Sequence, residues 1–245
     1  FLNAMVGIIA LFLVKNVHRQ TLSTSNFLMD WVTYYLGILI LLLTFLGSLG
    51  FLNLPAIMIV LLIATVPVVW QMDVNKEKKD FFTALVKIQQ FLRELPSHRI
   101  WLVIFTLLGL LSSLSLAALL EPSTIVDGLT YHLSMPVNWW RSQKLTAYYL
   151  PFSDYANSYF PGNGQLLYFW VLFPFQDELL VRLVSLVIWL ILGLSLYNLF
   201  LVSLKSKKFS LLAAIMFLFT PLVQSQATDL SLDMNFATLF VIALC

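Results

Sequence analysis

The sequence predicts an all-α integral membrane protein, a polytopic helical bundle with a long external loop that contains juxtamembrane helices. Hydrophobic residues make up 60% of the 245 residues and charged residues only 11%, whereas soluble domains carry about 25% charged residues. Several apolar runs approach the roughly 20 residues with which a helix crosses a bilayer core about 30 Å thick. The surplus apolar surface must face lipid, so membrane lipid is an expected partner.

Seven apolar windows are the candidate membrane spans. They fall at residues 1–14, 30–50, 55–70, 100–120, 178–204, 209–224 and from 236 onward. The first window is interpreted as a truncated membrane helix, because it has no clear signal cleavage site. The run from Gln165 to Phe175 is apolar too, but its 11 residues are too few to cross. We expect a juxtamembrane or re-entrant helix there.

Basic residues predict the orientation of these spans, since short loops rich in Lys and Arg stay on the cytoplasmic side. Such loops lie at 15–19, 71–99 and 205–208. Threading the spans alternately puts all three loops on one side and the segments 121–177 and 225–235 on the external side. Residues 73–99 also predict an amphipathic helix on the cytoplasmic membrane surface, because apolar side chains recur there at helical spacing among charges. The chain is therefore divided into N-terminal spans with this helix, 1–99, and a second membrane module, 100–245.

Composition also limits the partners and cofactors. The net charge of +2 is small, and the basic residues form short clusters without interleaved aromatic side chains, which argues against a nucleic-acid partner. Cys245 is the only cysteine, so neither a disulfide framework nor a cysteine-based metal site is expected. The sequence contains no phosphate-cradling glycine loop and no dinucleotide fingerprint.

Asp127 is the first candidate site residue, because it follows an apolar span directly and lies in the long external loop. At the mouth of the membrane a carboxylate is partly desolvated and can still reach a lipid headgroup. Asp127 could instead cap a helix that begins near Gly128, and both interpretations can hold. Loops of this length usually have a function, and the many Tyr and Trp side chains in the loop also suit an interfacial belt.

A second acidic pair, Asp229 and Asp233, follows the span that Pro221 ends. The two residues are four positions apart, which would place them on one face of a helix. Either residue could also cap the helix that is expected to begin near Met234.

Three charged residues at the start of the span 178–204 are set aside as structural. Glu178 and Arg182 have the spacing of an ion pair between positions i and i+4 of a helix, and Asp177 has the position of a helix cap. Stabilising the start of the helix is the favoured interpretation of all three.

The external loop combines these residues in a particular order: Asp127, then Tyr131-His132-Leu133, Pro136 and Trp139, a Pro-Gly-Asn-Gly turn at 161–164, and Gln176-Asp177-Glu178 before the next span. This order resembles the first external loop of the C-type (GT-C) glycosyltransferases, and most of all the bacterial protein mannosyltransferase-like and aminoarabinose transferase-like enzymes. In that superfamily the first external loop carries one acidic residue and a second external loop carries another. Asp127 and Asp233 match these two positions, with Asp229 as a substitute for Asp233.

The resemblance implies that 100–245 is the first part of a catalytic module in a multi-pass protein of the bacterial inner membrane. It implies inverting transfer of a sugar from a polyprenyl-phosphate donor to an acceptor on the external face, and it identifies neither the sugar nor the acceptor. Asp127 would be the general base and Asp233 the second catalytic carboxylate. Some relatives hold a divalent cation between such residues, so a metal bound by Asp127 and Asp233 is an open question.

The resemblance and the charges of the loop also indicate residues for substrate binding. Arg141 is favoured for the phosphate, since it can compensate the charge that develops there. Contact with anionic headgroups is the alternative for Arg141 and Lys144. The full set of candidate substrate-binding residues is Tyr131, His132, Arg141, Lys144 and Asp229.

Two other functions stay open. A transporter or lipid flippase would use the acidic residues as a proton or ion path, but such residues usually lie near mid-span, and no charged residue lies in the middle of a predicted span. A noncatalytic membrane scaffold would suit a long aromatic loop without paired acids. A wide separation of Asp127 from Asp233 would favour the scaffold.

Overall fold

The structure of the protein is a computed structural model that describes residues 1–17, 24–72, 97–120, 126–147, 162–230 and 232–245. Over these ranges every regular element is a helix, which confirms the all-α prediction. A π-helix, Gly128–His132, precedes the fifth α-helix. The α-helices of the described ranges are α1 Leu2–Val17, α2 Thr24–Leu49, α3 Leu54–Gln71, α4 Ser97–Leu120, α5 Ser134–Ser142, α6 Asn163–Phe175, α7 Leu183–Leu204, α8 Lys207–Leu218, α9 Pro221–Gln226 and α10 Asp233–Leu244.

Within the described ranges, three helices are long and apolar enough to cross a membrane. They are the segments Asn26–Leu49 of α2, Leu54–Gln71 of α3 and Leu183–Leu204 of α7. The apolar helices α1 and α10 are shorter, as is the apolar part of α4, Leu108–Leu120. The amphipathic helix predicted at 73–99 falls almost entirely on residues outside the described ranges.

The predicted span 209–224 is not one continuous helix. Helix α8 ends at Leu218, and α9 starts anew at Pro221. Proline has no N–H with which to continue a helix but is well tolerated in the first turn of a new one. The 12 residues of α8 extend about 18 Å, well short of a bilayer core about 30 Å thick.

Helix α6 is short, as the sequence predicts for the run Gln165–Phe175. Its 13 residues reach about 20 Å. It packs against α2, α5 and α7 and buries nearly all of its side chains from Gln165 to Phe173. Helix α6 is therefore part of the core of the bundle, although it is too short to cross a membrane.

The N-terminal helices are joined to α6 through Asn3. Helices α1 and α2 run antiparallel, with Trp31 Nε1 donating to Gly7 O at 3.0 Å and the Tyr35 hydroxyl donating to Asn3 Oδ1 at 2.7 Å. Trp170 of α6 donates through Nε1 to the same Asn3 oxygen at 2.6 Å. One side-chain oxygen thus ties α1, α2 and α6 together.

The turn between α2 and α3 supports the segment that follows α5. Leu52 N donates to Gln143 O at 2.8 Å, and Leu145 N donates to Gly47 O at 2.9 Å. A Cβ atom on Gly47 would overlap the Leu145 side chain, so a glycine is what allows this close approach. The turn itself is built from Gly50, at φ +80°, and from Asn53, whose Oδ1 caps α3 by accepting from Ala56 N at 3.0 Å.

The segments that precede α7 and α10 lie together. Arg182 donates through Nε to Thr228 O at 2.9 Å, and its Nη2 donates to the same oxygen. The predicted ion pair between Glu178 and Arg182 is wrong: both residues precede α7, which begins at Leu183, and among the described residues the Arg182 guanidinium bonds Thr228 O instead. Asp177 does support the turn that leads into α7, since its Oδ1 accepts from Leu179 N at 2.9 Å.

Candidate active site

The π-helix Gly128–His132 carries two buried rings of the loop, those of Tyr131 and His132. Its wide turn is closed by Leu133 N donating to Gly128 O at 3.0 Å, a spacing of five residues that is rare and frequently found at functional sites. Tyr131 and His132 are buried, with 9% and 7% of their surfaces exposed. Their ring centroids lie 4.1 Å apart, so they form a compact pair under the loop.

Asp127 lies at the start of this π-helix with its side chain exposed. It makes no side-chain capping hydrogen bond, so the alternative that Asp127 caps this helix is wrong. Its carboxylate interacts with Tyr131 instead. Burial raises the pKa of the Tyr131 hydroxyl, the charge of Asp127 and a hydrogen bond to it raise that pKa further, and the charge of Asp233 adds to the rise.

Asp233 reaches the same pair of rings from a distant part of the chain. It is the first residue of α10 and is exposed. The capping position of α10 is Leu232, so neither Asp229 nor Asp233 caps this helix. The carboxylate of Asp233, in the first turn, suits the positive end of the helix dipole. Its charge acts on both Tyr131 and His132, as does that of Asp127. The charges of two exposed carboxylates from separate segments therefore act on one buried pair, and we call Asp127, Asp233, Tyr131 and His132 the acidic site.

His132 is neutral at physiological pH. Burial lowers the pKa of the imidazole from 6.5 to about 4, although the charges of Asp127 and Asp233 oppose this change. His132 cannot supply positive charge for a phosphate while it is neutral. It can still donate or accept one hydrogen bond at each ring nitrogen, according to its tautomer.

Asp229 has a different environment from Asp233. It precedes α10 rather than lying in it, so the prediction that the two residues share a helical face is wrong. Its side chain is buried, and Oδ1 accepts from Leu230 N at 2.8 Å. Its charge acts on Tyr168, which is buried in α6. The structure thus places Asp229 behind the acidic site, as part of the turn that leads into α10.

Arg141 lies in the last turn of α5, and Lys144 lies two residues beyond the end of that helix. Both side chains are exposed. Arg141 lines a shallow groove on the outer face of the π-helix and α5 together with Leu129, Leu133, Ser134, Val137 and Asn138. The opposite face of α5 buries Met135 and Trp139. Lys144 lies near Gly50 in the turn between α2 and α3.

No protein family, curated protein or solved structure matches this chain. The resemblance to the C-type glycosyltransferases therefore stays a prediction from the order of residues in the loop. For a divalent cation, Asp127 and Asp233 offer carboxylate oxygens of the kind that such ions prefer. In the part of the chain that the structure describes, no third His, Cys, Asp or Glu joins them in a group.

Two buried amides behind the acidic site were missed by the sequence analysis. Gln165 of α6 is 1% exposed and Asn235 of α10 is 3% exposed. Gln165 Oε1 has no hydrogen-bond partner among the described residues, and the Asn235 amide lies within reach of the buried Tyr168 hydroxyl. A Cβ atom on Gly164 would lie 2.6 Å from Leu232 Cδ2 and 3.3 Å from Asn235 Nδ2, so α6 and α10 meet closely here. The only sequence signal was a polar residue beside an apolar run.

Proposed function

We propose that this chain belongs to a polytopic membrane glycosyltransferase, which moves a sugar from a polyprenyl-phosphate donor to a hydroxyl or amine acceptor on the external face with inversion. The observation that supports it most is that Asp127 hydrogen-bonds Tyr131 and that the charges of Asp127 and Asp233 both act on the buried Tyr131–His132 pair. Both carboxylates are exposed, so a substrate can reach them. The order of residues in the loop supports the same function by its resemblance to the C-type enzymes.

Asp127 is the general base of the proposed reaction. The acceptor oxygen or nitrogen attacks the anomeric carbon while the bond from that carbon to the phosphate oxygen breaks, and the acceptor proton passes to the Asp127 carboxylate. Positioned general bases contribute about 10² to 10⁴-fold to a rate. The hydrogen bond of Asp127 with Tyr131 orients the carboxylate, which supplies the positioning that such a base needs.

The polyprenyl phosphate leaves with negative charge, which a cation or hydrogen-bond donors must stabilise. Between residues 126 and 147 the cationic side chains are Arg141 and Lys144, since His132 is neutral. We assign Arg141 to the lipid-linked phosphate at the groove on the outer face of α5, and Lys144, beyond the end of α5, to the anionic headgroups beside it. A donor carried by a lipid reaches this groove through the bilayer.

Replacing Asp127 by Asn in the full-length protein tests the proposal, with transfer measured from radiolabelled polyprenyl-phosphate sugars. The expected result is a loss of turnover of about 10² to 10⁴-fold. Asp177→Asn is the matched control, because Asp177 is also exposed and its Oδ1 acceptor for Leu179 N is kept in asparagine. Equal turnover in both variants would remove the base assignment.

Asp233→Asn separates an enzyme with two acidic residues from the alternatives. A glycosyltransferase that uses both carboxylates loses turnover in this variant as well. A transporter or flippase would move the lipid across vesicles without sugar transfer, and a scaffold would do neither. Sugar transfer that survives the loss of both carboxylates would contradict the proposed site.

A further inference from the structure

The buried Gln165 side chain contacts the histidine of the acidic site. Its Nε2 lies 3.4 Å from His132 Nδ1. Among the described residues, the imidazole makes this hydrogen bond through Nδ1 and leaves Nε2 for another partner. Both side chains are more than nine-tenths buried, so water does not compete freely for the contact.

The chemistry of imidazole makes this contact informative. A neutral imidazole carries one proton, so one nitrogen donates and the other accepts. The hydrogen bond made by one nitrogen decides which of the two carries the proton. An amide N–H that points at Nδ1 makes Nδ1 the acceptor and leaves the proton on Nε2.

We propose that Gln165 is a positioning residue that holds His132 as its Nε2–H tautomer, so that the histidine presents a neutral N–H donor to a substrate hydroxyl or phosphate oxygen beside Asp127 and Asp233. This inference rests on the proposed function for the identity of the substrate. It does not rest on it for the tautomer, which is a property of the protein alone.

The two carboxylates favour the same tautomer. The charges of Asp127 and Asp233 both act on the His132 ring. With Nδ1 occupied by Gln165, only Nε2 is left to face other groups. An N–H at that position is attracted by the carboxylates, whereas a lone pair would be repelled. The reverse orientation of the Gln165 amide, with Oε1 towards Nδ1–H, would create that repulsion.

The packing of α6 fixes the place of Gln165. Gly162 and Gly164 bring the start of α6 against Trp139 of α5 and Leu232 before α10. Gln165 follows Gly164 directly in α6 and is buried. Its amide is therefore held by the backbone of α6 and by neighbouring side chains, as a positioning residue requires.

The tautomer can be read directly by nitrogen NMR of the full-length protein labelled with ¹⁵N-histidine in lipid. The 245-residue sequence has three histidines, and His132→Asn identifies the relevant signal. The expected result is a proton on Nε2 in the wild type. In Gln165→Glu, a carboxylate faces Nδ1 and the proton moves to Nδ1. A wild-type proton on Nδ1, or an unchanged tautomer in Gln165→Glu, would overturn the proposal.

Kinetics provide the second readout. Gln165→Met removes the amide and keeps the approximate size of the side chain, so we expect kcat to fall about 10- to 100-fold, the usual effect of losing such a supporting contact. The KM for the donor should change less than kcat. Gln165→Glu should lower kcat as well, and Gln224→Glu, on the helix α9 and not buried, is its control for the charge change.

The two proposals fail in different ways. An Nε2–H tautomer in a protein without any sugar transfer would contradict the glycosyltransferase and leave the role of Gln165 intact. Sugar transfer that depends on Asp127 but is unaffected by Gln165→Met would contradict the positioning role and leave the glycosyltransferase intact.

Discussion

The contact between Gly162 and Trp139 allows a sharp test of how α5 and α6 are packed. A Cβ atom on Gly162 would lie 2.6 Å from Trp139 Cη2 and 3.2 Å from Cζ2. The indole cannot easily move away, because it is buried and its Nε1 donates to Thr146 O at 3.2 Å. We therefore expect Gly162→Ala to be destabilising.

The expected cost combines two effects. Overpacking a core contact costs about 1–3 kcal/mol, and Gly162 is the residue that caps α6, a position where alanine is less favourable than glycine. For a chain of this size, 1 kcal/mol corresponds to about 2–4 °C in Tm. Thermal unfolding of the purified protein in detergent should show a Tm lower by roughly 2–12 °C.

Gly37→Ala is the matched control. A Cβ atom on Gly37 would meet nothing within 4 Å, and Gly37 lies inside α2. Alanine in a helix interior is favoured over glycine by about 0.5–1 kcal/mol. The Tm of this variant should therefore rise slightly, and a fall as large as that of Gly162→Ala would refute the steric explanation.

A double-mutant cycle with Trp139→Phe isolates the contact. Phenylalanine lacks the outer ring atoms that a Cβ on Gly162 would approach, so Gly162→Ala should cost less in this background. The energies of contacting residues are not additive, whereas those of independent residues add within about 0.5 kcal/mol. Additive costs would show that the contact with Trp139 does not decide the effect.

Three further predictions concern stability and pH. Asn3→Leu should lower the free energy of unfolding by about 1–2 kcal/mol, because it removes the acceptor of two hydrogen bonds. In membrane proteins such a bond contributes about 0.6 kcal/mol on average and up to about 1.7 kcal/mol. Thermal unfolding of the variant measures the loss. Burial lowers the pKa of His132 from 6.5 to about 4, so below pH 6.5 the unfolded chain binds a proton that the folded protein does not. The free energy of unfolding should therefore be unaffected by His132 above pH 6.5 and decrease by up to about 3 kcal/mol as the pH falls to 4. His132→Gln should remove this part of the pH dependence from the unfolding profile. Arg182→Lys should lower the Tm, because an ammonium cannot replace both bonds from the guanidinium to Thr228 O. Glu178→Gln should leave the Tm unchanged. Equal losses of Tm in the two variants would show that Glu178 and Arg182 form an ion pair after all.

The all-helical fold could be predicted from local properties of the sequence. Composition and run length indicate apolar helices, since every backbone polar group in a bilayer must be hydrogen-bonded within its own segment or barrel. The short length of α6, 13 residues, follows from the short apolar run Gln165–Phe175 in the sequence. Pro221 indicates where a helix must start anew, and the window 209–224 is therefore divided between α8 and α9. These features depend on neighbours along the chain.

The surroundings of the candidate site residues depend on tertiary contacts instead. The sequence singled out Asp127, Asp229 and Asp233, but only the packing of α10 against its neighbours distinguishes the buried Asp229 from the exposed pair. The neutral state of His132 follows from burial by distant segments, which no spacing reveals.

The sequence alone determined that this chain builds apolar helices and carries two acidic segments, because helix length and hydrophobicity are local quantities. Tertiary structure decided which side chains meet: Asn3 with Trp170, and Gln165 with His132. These pairs are 167 and 33 residues apart in sequence. Contacts at such separations are set by how whole helices pack, and pairs of single polar residues leave no periodic pattern from which they could be predicted.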